Sequence, residues 1–442
     1  MTSPDPDGER ARELDRLILH SWSKHGTTNP FAVARGEGVR LWDHDGREYL
    51  DFSSQLVNTN IGHAHPRVVE AIQRQAAELA TVAPATTNLR RGEAAERILS
   101  TIDDMAAVFF TNGGADAVEN AIRMARIHTG RAKVLSHYRS YHGNTGAAVN
   151  ATGDHRRVGN EFSTGHVHCF GPFLYRSEFW AESEEQECER ALQHARRVIE
   201  AEGPSTFAAI LVESVPGTAG ILVPPAGYLQ GLRELADRHG IVLILDEVMA
   251  GFGRTGKLFA FEHGDIVPDI VCMAKGMTSS YAPLGAMGLR DHVAEHFQDN
   301  VFWGGLTYNS HSLGLATAIA AIRVLLDEGM IENAANLESV MKSEMARLTE
   351  KHPSCKGGRA IGLFGMIDVQ KDSAGTPMAP FNGSSPAMTE LSQYFWDAGL
   401  FTFVRWGSFM CNPPLCITEE QLLEGFAIID KGLDITDRHF EG

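Results

Sequence analysis

Between residues 105 and 290 short apolar runs alternate with longer amphipathic stretches, and this alternation narrows the fold more than any other feature of the chain. The runs at 106–111, 133–136, 208–213, 241–246 and 269–274 read as buried strands. The stretches at 115–128, 184–201 and 227–239 read as helices between them. Strands joined through helices lie parallel in one sheet, and the crossing helices cover both faces. The expectation is therefore an α/β domain around a largely parallel sheet.

The flanks read differently. Residues 11–20 suit a short helix ahead of Trp22, and residues 1–10 read as frayed. Residues 39–52 read as a hairpin turned by Asp45-Gly46. A helix is predicted over 66–79, opened by Pro66 in its first turn. Residues 153–182 have no clear period and read as loops around a site. Two helices are predicted within 312–350, before a smaller α+β unit. The predicted division is an N-terminal segment over 1–65 serving the small domain and the site's edge, a large domain over 66–330, and a small domain over 331–442.

In an open parallel sheet, ligands collect beyond the carboxyl ends of the strands. Two acids arrive there independently, Glu213 and Asp246. Lys275 follows the next apolar run, twenty-nine residues after Asp246. One amine and one carboxylate at neighbouring strand ends suit pyridoxal phosphate (PLP): the amine condenses with the aldehyde, and the acid keeps the pyridine nitrogen protonated. Taken alone, such a lysine is more often a solvated loop residue. Three further features favour the sharper reading. Thr111-Asn-Gly-Gly-Ala-Asp-Ala117 joins a strand to a helix, so the amides of Gly114 and Ala115 could hold a phosphate. Tyr141, in Tyr141-His-Gly-Asn144, could stack on a flat ring. Val248 could press the opposite ring face. No metal-ligand set or nucleophile triad is as complete.

The order of these segments resembles the class III aminotransferases of PLP fold type I, from about Trp22 to beyond Ile417. The segments that carry the resemblance are Asn60-Ile-Gly-His-Ala-His-Pro66, Phe110-Thr-Asn-Gly-Gly-Ala-Asp-Ala117, Leu245-Asp-Glu-Val248, Gly251-Phe-Gly-Arg-Thr-Gly256, Ala274-Lys-Gly276, Thr307-Tyr-Asn-Ser-His311 and Pro413-Pro-Leu415. The resemblance implies a large PLP-binding domain with a mostly parallel sheet, and a smaller α+β domain built from both ends of the chain. It implies that Lys275 carries the cofactor and that Asp246 binds the pyridine nitrogen. It also implies that Thr307 reaches the phosphate of a neighbouring subunit, hence a homodimer with composite sites or a tetramer of such dimers. One departure stands out. The family's phosphate turn usually reads Ser-Gly-Ser or Ser-Gly-Ala, where this chain has Gly113-Gly114-Ala115, so a hydroxyl is missing.

The omega-amino-acid branch is the nearest in pattern, and Trp303-Gly-Gly-Leu-Thr-Tyr-Asn-Ser-His311 resembles taurine aminotransferases in particular. By that resemblance Trp22 borders the substrate pocket and Arg405 receives the acceptor's carboxylate; Glu213 is a further substrate-side candidate. The expected partners are a small amine or amino-acid donor and a keto-acid acceptor such as pyruvate or 2-oxoglutarate. A taurine-specific enzyme, a class III aminomutase, a decarboxylase and a PLP-binding protein without turnover stay open here.

Composition excludes some classes. With 39 basic against 56 acidic residues, the formal net charge of −17 opposes general binding to nucleic acid or to an anionic membrane. No apolar stretch reaches transmembrane length. The six cysteines are scattered, without the spacing of a disulfide framework or zinc finger. The polar, acidic opening has no signal-peptide core, so a cytoplasmic location is expected.

Overall fold

The computed structural model describes residues 6–27, 30–160 and 163–442. Three strands follow an N-terminal helix (Pro6–Asp15): β1 (Val33–Glu37), β2 (Arg40–Asp43) and β3 (Glu48–Asp51). The β2–β3 hairpin turns at Asp45-Gly46, where Gly46 has φ +79°, a left-handed conformation suited to glycine. Seven strands form the central sheet: β4 (Met105–Thr111), β5 (Lys133–His137), β6 (His166–Cys169), β7 (Phe207–Glu213), β8 (Val242–Asp246), β9 (Ile270–Met273) and β10 (Gly285–Arg290). Their order is β4-β10-β9-β8-β7-β5-β6. All pairings are parallel except those of β10, which runs antiparallel to both neighbours.

Alternate residues of these strands feed two separate cores. Leu135, Ile210, Val212, Leu243, Leu245 and Val271 pack on the side of the helices Glu184–Glu202 and Tyr228–His239. Val134, Ala209, Leu211, Val242, Ile244 and Ile270 pack against the helix Gly114–Thr129 on the other. Burial on both faces is why these strands read as unbroken apolar runs, each large side chain contributing about 1.5–3 kcal/mol.

Five more strands complete the fold: β11 (Cys355–Ile361), β12 (Phe364–Val369), β13 (Leu400–Phe401), β14 (Val404–Arg405) and β15 (Ser408–Cys411). β13 pairs in parallel with β3, so both ends of the chain build one small sheet. β11, β12, β15 and β14 make another, flanked by the helix Met330–Lys351, on which the helix Glu419–Asp437 packs in turn. The architecture is the α/β arrangement of PLP fold type I: a mostly parallel central sheet with a smaller α+β part drawn from both termini.

Three local expectations need correction. The first helix spans Pro6–Asp15 rather than 11–20; proline at its start and Asp7 and Glu9 in its first turn favour that register. The reading of 1–10 as frayed therefore fails for 6–10, and 1–5 lie outside the described residues. The region 153–182 contains β6, an edge strand with only its last residue buried. β10 also escaped the sequence reading, because Gly285 and Gly288 lower its strand propensity. Gly285 is needed: a Cβ there would lie 2.3 Å from the Gly113 carbonyl oxygen.

Candidate active site

Sheet register sets the site. Glu213 pairs with Asp246 across β7 and β8, and Asp246 pairs with Cys272 across β8 and β9. The two carboxylates thus stand on adjacent strand tips, and Lys275 follows one turn beyond β9. Gly114, Ala115, Tyr141, Glu213, Asp246, Val248 and Lys275 all line one cleft of about 200 Å³, with His142, Gly143, Thr218 and Met249.

Asp246 is buried and both its oxygens are held. The Val248 amide donates to Oδ1 at 3.0 Å, and His142 Nδ1 donates to Oδ2 at 2.8 Å. His142 Nε2 is buried without a partner among the described residues. Glu213 is a different kind of acid. It accepts the Tyr141 amide at 3.0 Å and the Gly217 amide at 2.9 Å, so it ties the Tyr141 loop to the turn after β7. Burial raises its pKa, with Asp246 adding in the same direction.

Lys275 adopts φ +39°, an unusual backbone for a residue with a side chain, of the kind that collects at functional sites. Gly276 beside it leaves room for Asn60, whose Nδ2 would lie 2.5 Å from an added Cβ. Burial lowers the Lys275 pKa; Glu213 and Asp246 oppose that shift, and Arg254 reinforces it. Arg254 is itself fully buried, bonded to the carbonyls of Leu363 and Pro413 and to Ser54 and Asn60. Burial brings its pKa down to about 9.

The turn before the helix Gly114–Thr129 is a cradle too close for side chains. A Cβ on Gly114 would lie 2.7 Å from Val248, and one on Gly143 would lie 2.5 Å from the Ala115 Cβ. First-turn amides of such a helix have no intrahelical partner and attract an anion. Amide donors, an aromatic, an aliphatic wall, a held carboxylate and an amine in one cleft fit a phosphorylated pyridine aldehyde.

A larger cavity of about 450 Å³ adjoins the cleft and shares Thr218 with it. Arg139, Arg157, Arg176, Arg359 and Arg405 line it against Asp154 and Asp368, so it is basic on an acidic protein. Arg405 donates to the Thr218 carbonyl at 2.8 Å and lies 4.1 Å over the Trp406 ring. Burial lowers its pKa to about 10, helped by nearby Arg156. Arg156 stacks 4.0 Å over Tyr141, while Trp22 meets Tyr141 edge-on at 6.1 Å and is otherwise exposed. Thr307 sits on the exposed loop ahead of the helix Ser312–Asp327 and is not among the residues lining this cleft.

His142, Arg156, Thr218 and Arg254 were not singled out from sequence. His142 lies inside a motif read only for its tyrosine and glycine, and Arg254 inside a glycine-rich segment. Arg156 falls in the aperiodic stretch and gave no signal.

The family model described as "Aminotransferase class-III" matches residues 22–433. An acetylornithine aminotransferase of Methanopyrus kandleri is 36% identical over 364 residues, covering 82% of this chain and 86% of that protein. A taurine–pyruvate aminotransferase of Bilophila wadsworthia is 33% identical over 374 residues, covering 81% of this chain and 82% of that protein. Among solved structures, taurine:2-oxoglutarate aminotransferase from Bifidobacterium kashiwanohense, in complex with PLP and glutamate, superposes with a TM-score of 0.94 at 38% identity, covering 98% of each chain. An (S)-enantioselective omega-transaminase from Thermomicrobium roseum gives 0.90 at 32% identity, covering 97% of this chain and 98% of that one. The chain belongs to the class III family of PLP-dependent aminotransferases and is an enzyme of that family.

Proposed function

We propose that the enzyme moves the amino group of an omega-amino acid or related amine to a keto acid such as pyruvate or 2-oxoglutarate, in two half-reactions. The observation that carries this reading is the basic cavity opening beside Lys275 through Thr218. A donor with its amine at one end and an anionic group at the other would span the two spaces. PLP, when bound, supplies the electron sink and carries the amino group between the half-reactions.

The cleft's residues suit these roles. Lys275 would hold the cofactor, and its amine, with a pKa lowered by burial, would suit moving the proton. Asp246, fixed by Val248 and His142, would keep the pyridine nitrogen protonated. Gly114 and Ala115 would offer amides to the phosphate, and Tyr141 and Val248 would hold the ring. Glu213 positions the Tyr141 loop. Trp22 borders the substrate through Tyr141. Arg405 offers a carboxylate or sulfonate a two-pronged partner.

The active form in this reading is a homodimer in which Thr307 completes the partner's phosphate site. Trp303, 77% exposed, and Tyr308, 60% exposed, flank Thr307 on one loop, a concentration of apolar surface that suits an interface between copies. The test of substrate class is single-turnover kinetics with a panel of donors and acceptors. Arg405→Ala should slow the half-reaction with 2-oxoglutarate or pyruvate by about 10–100-fold, the worth of a charged hydrogen-bonded pair, and spare a neutral amine. Equal losses for both would remove Arg405 from the substrate site.

A further inference from the structure

The basic cavity beside the cleft carries a second cationic centre, separate from Arg405. Three cations gather round the ring of Tyr175: Lys356 at 4.7 Å from the ring centre, Arg359 at 5.6 Å and Arg176 at 5.9 Å. Arg176 and Arg359 line the cavity, with Phe173 forming an apolar wall 5.4 Å from the Arg359 guanidinium. Lys356 and Arg359 lie on β11 and Arg405 on β14, the two opposite edges of their four-stranded sheet. Three strand spacings separate those edges, about 14 Å at the backbone.

The charges round Tyr175 do not balance. Arg359 is already engaged, donating to Asp368 Oδ2 at 2.8 Å and to the Gly220 carbonyl at 2.5 Å. The other oxygen of Asp368 accepts from Ser408 at 2.6 Å. Lys356 donates to the Gly375 carbonyl at 3.3 Å, and Arg176 has no hydrogen-bond or ion-pair partner among the described residues. Asp368 is also the acid whose charge acts on both Tyr175 and Lys356, so one carboxylate answers three cations. Burial lowers the Lys356 pKa and Arg176 adds in the same direction, while Asp368 opposes; like charges are being held together. An anion placed against Arg176 and Lys356 relieves that repulsion. Walls of low dielectric strengthen the attraction, as in any cleft lined by one sign of charge.

We propose that Arg176 and Lys356 form an outer anion subsite at the rim of the cavity, which takes a small organic carboxylate ahead of Arg405. The subsite rests on the proposed function only in treating this cavity as the keto acid's route to Lys275. It captures and steers; no bond is made or broken there. Its contribution therefore appears in the rate of capture and in salt dependence, and not in the limiting rate once substrate is in place.

The experiment titrates holoenzyme with glutarate, a dicarboxylate that has no keto group to react, and reads binding by ligand-observed nuclear magnetic resonance. Arg405→Ala holoenzyme should still bind glutarate at low ionic strength. Adding Arg176→Gln and Lys356→Gln to that background should weaken binding by about tenfold or more, because each change removes a charged donor and keeps the length of the side chain. The charge-preserving pair Arg176→Lys and Lys356→Arg should keep it. Raising the salt to 1 M, where the Debye length is about 3 Å, should weaken binding in the Arg405→Ala protein as well. With Arg405 intact, the two glutamine changes should lower kcat/KM for the keto acid several-fold at low salt and leave kcat unchanged. Glutarate binding decides the subsite even if no omega-amino donor is turned over, so the two readings fail separately. An Arg405→Ala protein that binds no glutarate would overturn the proposal. So would glutarate binding that is indifferent to the loss of both cations.

Discussion

Asp246 receives one hydrogen bond on each oxygen, and the donor on Oδ2 is a buried histidine whose Nε2 has no partner among the described residues. His142 is therefore a positioning residue: it fixes the angle at which the carboxylate faces the cleft. His142→Ala should retain covalent cofactor yet slow both half-reactions by roughly tenfold, about 1.4 kcal/mol at the barrier. Cofactor content by absorbance and stopped-flow rates read the two effects separately. Wild-type rates would show that Asp246 needs no second anchor. The Lys275 amine carries a second expectation. Its pKa is lowered by burial, so the neutral, nucleophilic form prevails from a lower pH than the ordinary value of 10.5. The rate at which cofactor-free protein takes up PLP should rise with pH through a midpoint below 10.5. A midpoint at or above that value would mean the amine is solvated like a surface lysine.

At the scale of elements, the site depends on backbone approaching backbone. Gly143 has φ +127°, and an added Cβ would lie 2.5 Å from the Ala115 Cβ and 2.7 Å from the Ala115 Cα. Gly143→Ala should destabilise the protein by about 1–3 kcal/mol through overpacking and should weaken PLP binding by displacing the helix start. Thermal melting and cofactor titration would measure both, and a variant with unchanged affinity would detach this loop from the cradle. These elements were unequally legible in sequence. β7, β8 and β9 announced themselves because both faces are buried, and Glu213, Asp246 and Lys275 could be placed at their ends before any geometry was known. β10 was not legible, because Gly285 answers to the close approach of Gly113 and Gly288 to that of Val271 rather than to strand propensity. Arg156 was hidden for another reason: its neighbour Tyr141 is fifteen residues away and only folding brings the two together.

In the whole molecule, the helices Met330–Lys351 and Glu419–Asp437 are joined by one charged cluster. Asp430 accepts from Arg347 at 2.7 Å, from His352 Nε2 at 2.7 Å and from Lys351, while His352 Nδ1 bonds Asp437 at 2.6 Å. Burial opposes ionisation of Asp430, but hydrogen bonds from Lys351, His352 and Arg347 outweigh it and hold its pKa well below 3.8. A carboxyl depressed in the folded state contributes stability above its unfolded pKa and loses it as pH falls through the folded value. Asp430→Asn should therefore lower the urea midpoint at pH 7, and the gap to wild type should narrow below pH 3.8. A gap independent of pH would assign the loss to packing. The assembly is tested by mixing Lys275→Ala and Thr307→Ala chains. A composite dimer restores part of the activity in the mixed species, because one of its two sites then carries neither substitution, whereas independent sites restore none. The expectation of a dimer came only through resemblance, since periodicity and spacing say nothing about a second copy.

Every proposed role in the cleft depends on Lys275 carrying the cofactor at the tips of β8 and β9. Borohydride reduction of the holoenzyme, followed by peptide mass mapping, tests this most directly. The expected result is a pyridoxyl adduct on the peptide containing Ala274-Lys275-Gly276, absent from Lys275→Ala. An adduct on any other lysine, or one of undiminished yield in the variant, would contradict it.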